Sequence, residues 1–266
     1  MQRPLDWMKQ SLRGNSGLLA VALAALTPIF AALILATVAA APGGREASAA
    51  ASTAAPTRAA APPSQPQAAT PQRTQWGSQA PSADARLIAD WAFHSGDHGK
   101  RAVVVVDKKN AKVYVFNPEG ALQGAAPALL GSAIGDHTVP GVGDKPIAQV
   151  RPEERTTPAG RFVAEMGVNA GGEDVVWVDY DAAVSMHRVR PTVKAERRLQ
   201  RLASPTAADN RISYGCINLP VAFYEKVLSP AVRASGAVVY VLPETQPAAA
   251  LFGARPVPSE KLAKGL

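Results

Sequence analysis

Arg211–Pro220 reads RISYGCINLP and contains the only cysteine in 266 residues. Gly215 stands directly before Cys216. A residue without a Cβ lets the chain bend sharply there, which would carry the thiol from a strand end into a cleft. Ile212–Cys216 is therefore predicted to be a strand. Pro220 then opens a short helix over Val221–Leu228, and Ala237–Leu242 is a last strand. From Pro243 onward the chain is expected to be loosely ordered.

Upstream, β-branched and aromatic runs dominate. Ala102–Asp107 (AVVVVD) and Lys112–Asn117 (KVYVFN) predict a hairpin, and Ala121–Gly131 a returning third strand. Arg161–Val168, Val175–Asp179 and Ala183–His187 are further predicted strands, the last with His187 at its end. Ser82 is a candidate cap for a helix from Ala83 to Phe93, with Leu87, Ile88 and Trp91 as its buried stripe. Thr192–Leu202 predicts a second helix, with Val193, Leu199 and Leu202 on one side and Lys194, Arg197, Arg198 and Arg201 as a solvated basic face. Between Ser132 and Thr157 lies a long loop rich in Gly, Pro and charge, a length that inside a compact domain points to function. The core is thus mainly β over about residues 83–243, enough for one self-sufficient core.

The N-terminal third reads differently. Residues 17–41 carry no charge, and Arg3, Lys9 and Arg13 precede them. That length spans the ~30 Å core of a bilayer, and the flanking charges would keep residues 1–16 cytoplasmic. The apolar run is longer than a cleaved signal peptide uses, so an uncleaved anchor is expected. Residues 42–82 are Ala/Pro-rich and nearly devoid of large apolar side chains, the composition of a disordered tether. The net charge of +7 comes with no nucleic-acid motif, so no nucleic-acid partner is expected.

Export bears on Cys216. Oxidising compartments use cysteines in pairs, so a solitary one is either a small buried hydrophobe or a working thiol. A nucleophilic thiol needs a base to ionise it near neutral pH. The histidines are His94, His98, His137 and His187. His94 and His98 are expected at the surface near a helix end; as a zinc pair they lack an evident third ligand. His137 could line a cleft, and His187 closes a strand. Arg161 and Arg211 are either structural or able to bind carboxylates by paired hydrogen bonds. Trp177 and Tyr180 read as core or cleft wall.

Together these segments resemble a family. Ser213-Tyr214-Gly215-Cys216-Ile217-Asn218, preceded by the strand-end His187, resembles the active-site signature of the L,D-transpeptidases, the YkuD-type catalytic domain. Thr156-Thr157-Pro158-Ala159-Gly160-Arg161-Phe162 resembles the family's Thr-Pro-x-Gly-x-Phe segment, and VVVVDKKNAKVYVF its opening strands. Two features depart from the pattern. Tyr214 stands where the family has a second histidine, and the stretch from His187 to Ser213 is longer than usual, with the basic segment 192–202 read as an insertion.

The resemblance implies a mainly β, L,D-transpeptidase-like β-sandwich with short flanking helices, preceded by one transmembrane helix and a disordered linker. The expected division is 1–16 cytoplasmic, 17–41 anchor, 42–82 linker, 83–243 catalytic domain and 244–266 tail. It implies Cys216 as nucleophile and His187 as proton donor and acceptor. Ser213, Tyr214, Gly215, Arg211 and Asn218 would contact substrate, with backbone N–H groups around Tyr214–Cys216 holding the oxyanion. Ser185 is assigned no role. The implied partners are peptidoglycan stem peptides and, through the N-terminal helix, the inner membrane, with the catalytic domain in the periplasm. Amide exchange needs neither a cofactor nor a metal. An L,D-carboxypeptidase on the same fold and an inactive cell-wall-binding module are the alternatives.

Overall fold

The computed structural model of the protein describes residues 74–258. The expected anchor at 17–41 and linker residues 42–73 lie outside the described residues. Among those described, no helix is long and apolar enough to cross a membrane.

The architecture is mainly β. Strands β1 (Ala102–Asp107) and β10 (Ala237–Val241) lie parallel in the middle of an eight-stranded sheet of order β3-β2-β1-β10-β5-β6-β7-β9. Both are buried along their whole length. Burial on both faces explains why their sequences run apolar without alternation. β2 (Lys112–Phe116) and β3 (Leu122–Pro127) extend one side as antiparallel neighbours. On the other side, β5 (Gly160–Val168) gives its first half to β10 and its second half to β6 (Asp174–Asp179). The sheet turns at β5 and continues through β7 (Val184–Arg188) to β9 (Ile217–Leu219).

That turn lets the two halves of the sheet share one core. Val104, Val113 and Val239 from the first half pack in the same cluster as Val176, Met186 and Ile217 from the second. Burying each such side chain contributes about 1.5–3 kcal/mol. Leu228 and Val232, from a helical stretch over Val221–Ser235, join the same cluster. The outer face of the first half carries Val105, Tyr114, Phe116 and Tyr240 under helix α1 (Ala83–Ser95). Ser82 caps α1 as expected, its Oγ accepting from the Ala85 N–H at 3.1 Å. Small residues Ala85, Ala89 and Ala92 are buried there beside Ile88 and Phe93, while Leu87 and Trp91 sit at the margin.

The structure corrects several local expectations. The third strand breaks after Pro127, and Leu130–Gly131 (β4) instead pairs in parallel with Arg211–Ser213 (β8). β8 ends at Ser213 rather than continuing to Cys216, because Gly215 takes φ +134° and the chain bends. The segment 192–202 is not one helix. A 3-10 turn at Lys194–Glu196 is followed by Arg197 in the left-handed region (φ 48°) and then by helix α2 (Arg198–Ala203). Leu202 is buried, whereas Val193 and Leu199 are exposed.

Packed structure also reaches beyond 83–243 at both ends. Trp76 is buried edge-on against Tyr114 and Phe116, at 5.1 and 4.8 Å between ring centres. After Pro243, Glu244 and Thr245 donate their backbone N–H groups to Asp136 at 2.7 and 2.9 Å. Helix Ala248–Phe252 (α3) then buries Ala248 and sets Phe252 against Tyr240. The tail is held by charge and packing as far as Ala254.

Candidate active site

The site follows from strand register. β7 and β9 are parallel, with Met186 opposite Ile217 and His187 opposite Asn218. One residue back along both strands brings Ser185 level with Cys216. Opposed residues share a sheet face, and neighbours alternate. Met186 and Ile217 are both fully buried in the shared core. Ser185, His187, Cys216 and Asn218 therefore stand together on the other face. Trp177 of β6 lies opposite Ser185 on that face and stacks on Tyr180 at 5.0 Å, consistent with a cleft wall.

Cys216 is partly accessible, as a nucleophile must be. Its Sγ lies 3.7 Å from Ser185 Oγ and 3.5 Å from the Ala183 carbonyl oxygen. His187 Nδ1 lies 2.7 Å from the Arg188 carbonyl oxygen. A carbonyl only accepts, so Nδ1 carries the proton of the neutral ring and Nε2 keeps its lone pair for the thiol. Burial alone would push the thiol up. The hydrogen bond and charge of His187, with the Ser185 N–H and hydroxyl, outweigh it and leave Cys216 below the ordinary thiol value. Burial likewise opposes a charged imidazole, but the hydrogen bond and charge of Cys216, then the Arg188 carbonyl, raise His187 above its ordinary value. The two shifts have opposite sign and one cause. Each partner favours the charged form of the other, the condition for a thiolate–imidazolium pair.

The bend that presents Cys216 is clamped from two sides. Ser213, buried, donates from Oγ to the Cys216 carbonyl at 2.6 Å and accepts from the Gly215 N–H at 3.1 Å. Thr157, fully buried, donates from Oγ1 to the Gly215 carbonyl at 2.7 Å and accepts from the Gly131 N–H at 2.9 Å. The two sequence segments singled out above thus meet through one hydroxyl. The peptide joining Gly215 to Cys216 is planar with its C=O and N–H opposed. Holding the carbonyl toward Thr157 therefore turns the Cys216 N–H the other way. Gly215 is required here: a Cβ would lie 2.9 Å from the Thr156 carbonyl oxygen, at a φ that side chains avoid.

These contacts redistribute the expected roles. Ser213 is a clamp inside the bend rather than a surface for substrate. The Gly215 N–H is engaged by Ser213, so it does not serve an oxyanion; the amides of Tyr214 and Cys216 have no protein acceptor among the described residues. Tyr214 turns outward, 38 % exposed, with the Arg155 guanidinium 4.1 Å over its ring. Arg211 is paired with Glu244 and donates to the Lys108 carbonyl at 3.0 Å, so its guanidinium is engaged within the fold. Arg161 is held by Asp97 at 2.6 Å. Asn218 is buried and donates from Nδ2 to the Cys216 carbonyl at 3.1 Å.

Ser185, given no role from sequence, touches the sulfur. His137 is exposed in the long loop. His98 is buried rather than superficial, with Nδ1 3.0 Å from the Ala92 carbonyl and its ring on Phe93. Among the described residues no cluster of three or more His, Cys, Asp or Glu could hold a metal. The long loop packs against the turn at residues 181–183, because a Cβ at Gly143 would meet the Asp181 carbonyl at 2.3 Å and the Ala183 nitrogen at 2.9 Å. Its backbone thus lies against the turn whose carbonyl faces the thiol.

No protein-family model matches the chain, and no curated protein sequence matches it. Several solved structures are similar to the chain, two of them as follows. One is the catalytic domain of the L,D-transpeptidase from E. faecium, with a TM-score of 0.31 and 16% identity over 54% of this chain and 98% of that one. The other is Pgp2 from Campylobacter jejuni, a helical cell shape determining protein, with a TM-score of 0.35 and 14% identity over 63% of this chain and 58% of that one.

Proposed function

We propose that the protein is a cysteine acyltransferase acting on peptidoglycan stem peptides, an L,D-transpeptidase. The observation that carries this reading is the parallel register that sets Cys216 and His187 on one sheet face, where each favours the charged form of the other. Structural cysteines have no use for such an arrangement, and perturbed pairs of this kind mark functional sites. The signature residues around Cys216 and the Thr157 segment supply the substrate class.

The Cys216 thiolate attacks the carbonyl carbon of the L-centre that precedes the terminal D-alanine. The oxyanion that forms is met by the Tyr214 and Cys216 N–H groups, a kind of contact worth about 10²–10³-fold in rate per donor. His187, protonated in the ion pair, gives its proton to the leaving amine as the C–N bond breaks. D-alanine departs and a thioester remains. The amine of a second stem then attacks the thioester, His187 takes up its proton, and an amide replaces the thioester. Since one acyl bond is exchanged for another, no nucleotide is consumed. The apolar segment 17–41 supports placement as a single-pass inner-membrane protein with its catalytic domain in the periplasm.

The test is intact-mass analysis after incubation with a tetrapeptide-bearing muropeptide or a carbapenem. An acyl adduct that disappears in Cys216→Ala is expected, together with cross-linked dimers when an acceptor is added. Trimmed monomers alone would make the enzyme an L,D-carboxypeptidase, and an unmodified thiol would leave a wall-binding module.

A further inference from the structure

The segment between His187 and Ser213, read from sequence as a solvated basic helix, sends one of its arginines inward. Arg197 in the left-handed region ends one turn and starts another. The result is that the Arg198 side chain is 13% exposed. Its Nε donates to Glu196 Oε2 at 2.6 Å, and its Nη1 donates to Asn218 Oδ1 at 2.5 Å. Asn218 is 1% exposed and donates from Nδ2 to the Cys216 carbonyl at 3.1 Å. The amide can sit only one way round. Reversed, it would aim its NH₂ at a guanidinium and its oxygen at a carbonyl.

From this chain of contacts we propose that Arg198 is a positioning residue for the nucleophile, acting through Asn218 on the Cys216 carbonyl, with Glu196 orienting the guanidinium. Its partner in the same task is Ser213, which binds that carbonyl from the other side. Two donors on one carbonyl fix the peptide plane that follows Cys216, and with it the direction in which the Cα–Cβ bond leaves the backbone. The Arg198 charge by itself opposes a charged His187 ring, so what Arg198 contributes to the site is the position of the Cys216 backbone rather than its charge. The remaining groups facing the pair are the Ser185 hydroxyl and the Ala183 carbonyl on the sulfur and the Arg188 carbonyl on the ring. Arg198 does not touch the reacting atoms. It belongs to the segment that departs from the family pattern, so the longer spacer supplies a support for the active site and is more than a surface insertion.

The proposal rests on Cys216 being the nucleophile of the proposed reaction, so the primary readout is chosen to be independent of substrate. It is the pH profile of Cys216 alkylation by iodoacetamide, with thermal melting as the control for folding. Arg198→Gln should move the profile upward in pH and slow alkylation at pH 6 by about tenfold. Arg198→Lys, which retains the charge and one donor, should recover part of it. Asn218→Ala should match Arg198→Gln, and the double variant should be no worse than either alone, because the two residues act in series. In stem-peptide acylation the loss should fall on kcat. An unchanged alkylation profile in Arg198→Gln, additive losses in the double variant, or a rise in KM alone would each overturn the proposal. A normal alkylation series with no stem-peptide acylation in any variant, wild type included, would instead sink the transpeptidase reading and leave the role of Arg198 intact.

Discussion

Replacing Thr157 by valine isolates one hydroxyl. The two side chains have nearly the same shape, and Thr157 is fully buried, so packing is conserved. What is lost is the donor to the Gly215 carbonyl at 2.7 Å and the acceptor of the Gly131 N–H at 2.9 Å. Both glycines are buried, so water is poorly placed to replace the hydroxyl. Leaving a buried backbone group without a partner costs about 1–3 kcal/mol, which for two groups with some relaxation comes to about 2–4 kcal/mol. For a domain of this size each kcal/mol lowers Tm by roughly 2–4 °C, so a drop of roughly 5–15 °C is expected. Thr157→Ser is the control. It keeps the hydroxyl and loses one methyl group, for about 1 kcal/mol.

Activity should fall beyond what stability explains. With its carbonyl released, the Gly215–Cys216 peptide no longer holds the Cys216 N–H in one direction. A misdirected oxyanion donor costs on the order of 10²-fold in the acylation rate. Melting by circular dichroism and acylation by intact mass, measured at a temperature where Thr157→Val is folded, separate the two effects. The reasoning fails if Thr157→Val melts within a degree of wild type, or if Thr157→Ser is as damaged as Thr157→Val in both assays.

Two further outcomes follow from the same contacts. His187→Ala should leave the melting temperature near that of wild type and lower acylation of Cys216 by at least about 100-fold, the usual contribution of a positioned acid–base group; an unchanged rate would move the base role elsewhere, with His137 the next histidine to test. The acid stability of the domain should depend on Asp136. Burial opposes its charge, but hydrogen bonds from Thr245, the Glu244 N–H and Lys108 hold its carboxyl well below the usual range. A depressed carboxylate contributes stability that is present above its unfolded value near pH 4 and is lost as pH falls toward the folded value. Urea midpoints should therefore decline below about pH 4 in wild type and decline less in Asp136→Asn, and parallel curves would refute the assignment.

The parts of the fold legible in the sequence are those governed by short-range period. AVVVVD and AVVYV read as strands from their β-branched runs; that both are buried along their whole length at the centre of the sheet came from the structure. Cys216 and His187 were paired in the sequence by the family resemblance alone, and the parallel register of β7 and β9 sets the two on one sheet face. Segment 192–202 misled because its helical spacing was judged by charge. A run of arginines reads as solvated, and nothing local shows that one of them has a buried asparagine to reach twenty positions later. Thr157 was recognised as part of a motif, but its hydroxyl's partner lies across the fold, at Gly215.

The least legible feature bears on the site's foundations. Lys108 is fully buried, with its Nζ 2.6 Å from the Gly135 carbonyl and 3.0 Å from both Asp136 Oδ1 and the Thr157 carbonyl. Glu244 stands 3.5 Å from it and pairs with Arg211. Two positive and two negative groups balance, so the cluster is neutral as a whole. Removal of any one would leave a buried charge uncompensated, at a cost of about 3–5 kcal/mol. No periodicity announces such a cluster, because its members come from a hairpin turn, the long loop, β8 and the segment after β10. Yet its line to Cys216 is short. Thr157 accepts from Lys108 with its carbonyl and holds the Gly215 carbonyl with its hydroxyl, so one residue couples the buried charges to the bend that presents Cys216. A catalytic domain drawn to end at Pro243 would keep Lys108 and Arg211 and discard the carboxylate of Glu244, together with the amides that hold Asp136. The folded unit therefore extends past Pro243 to include Glu244 and Thr245, held by electrostatics after the last strand has ended.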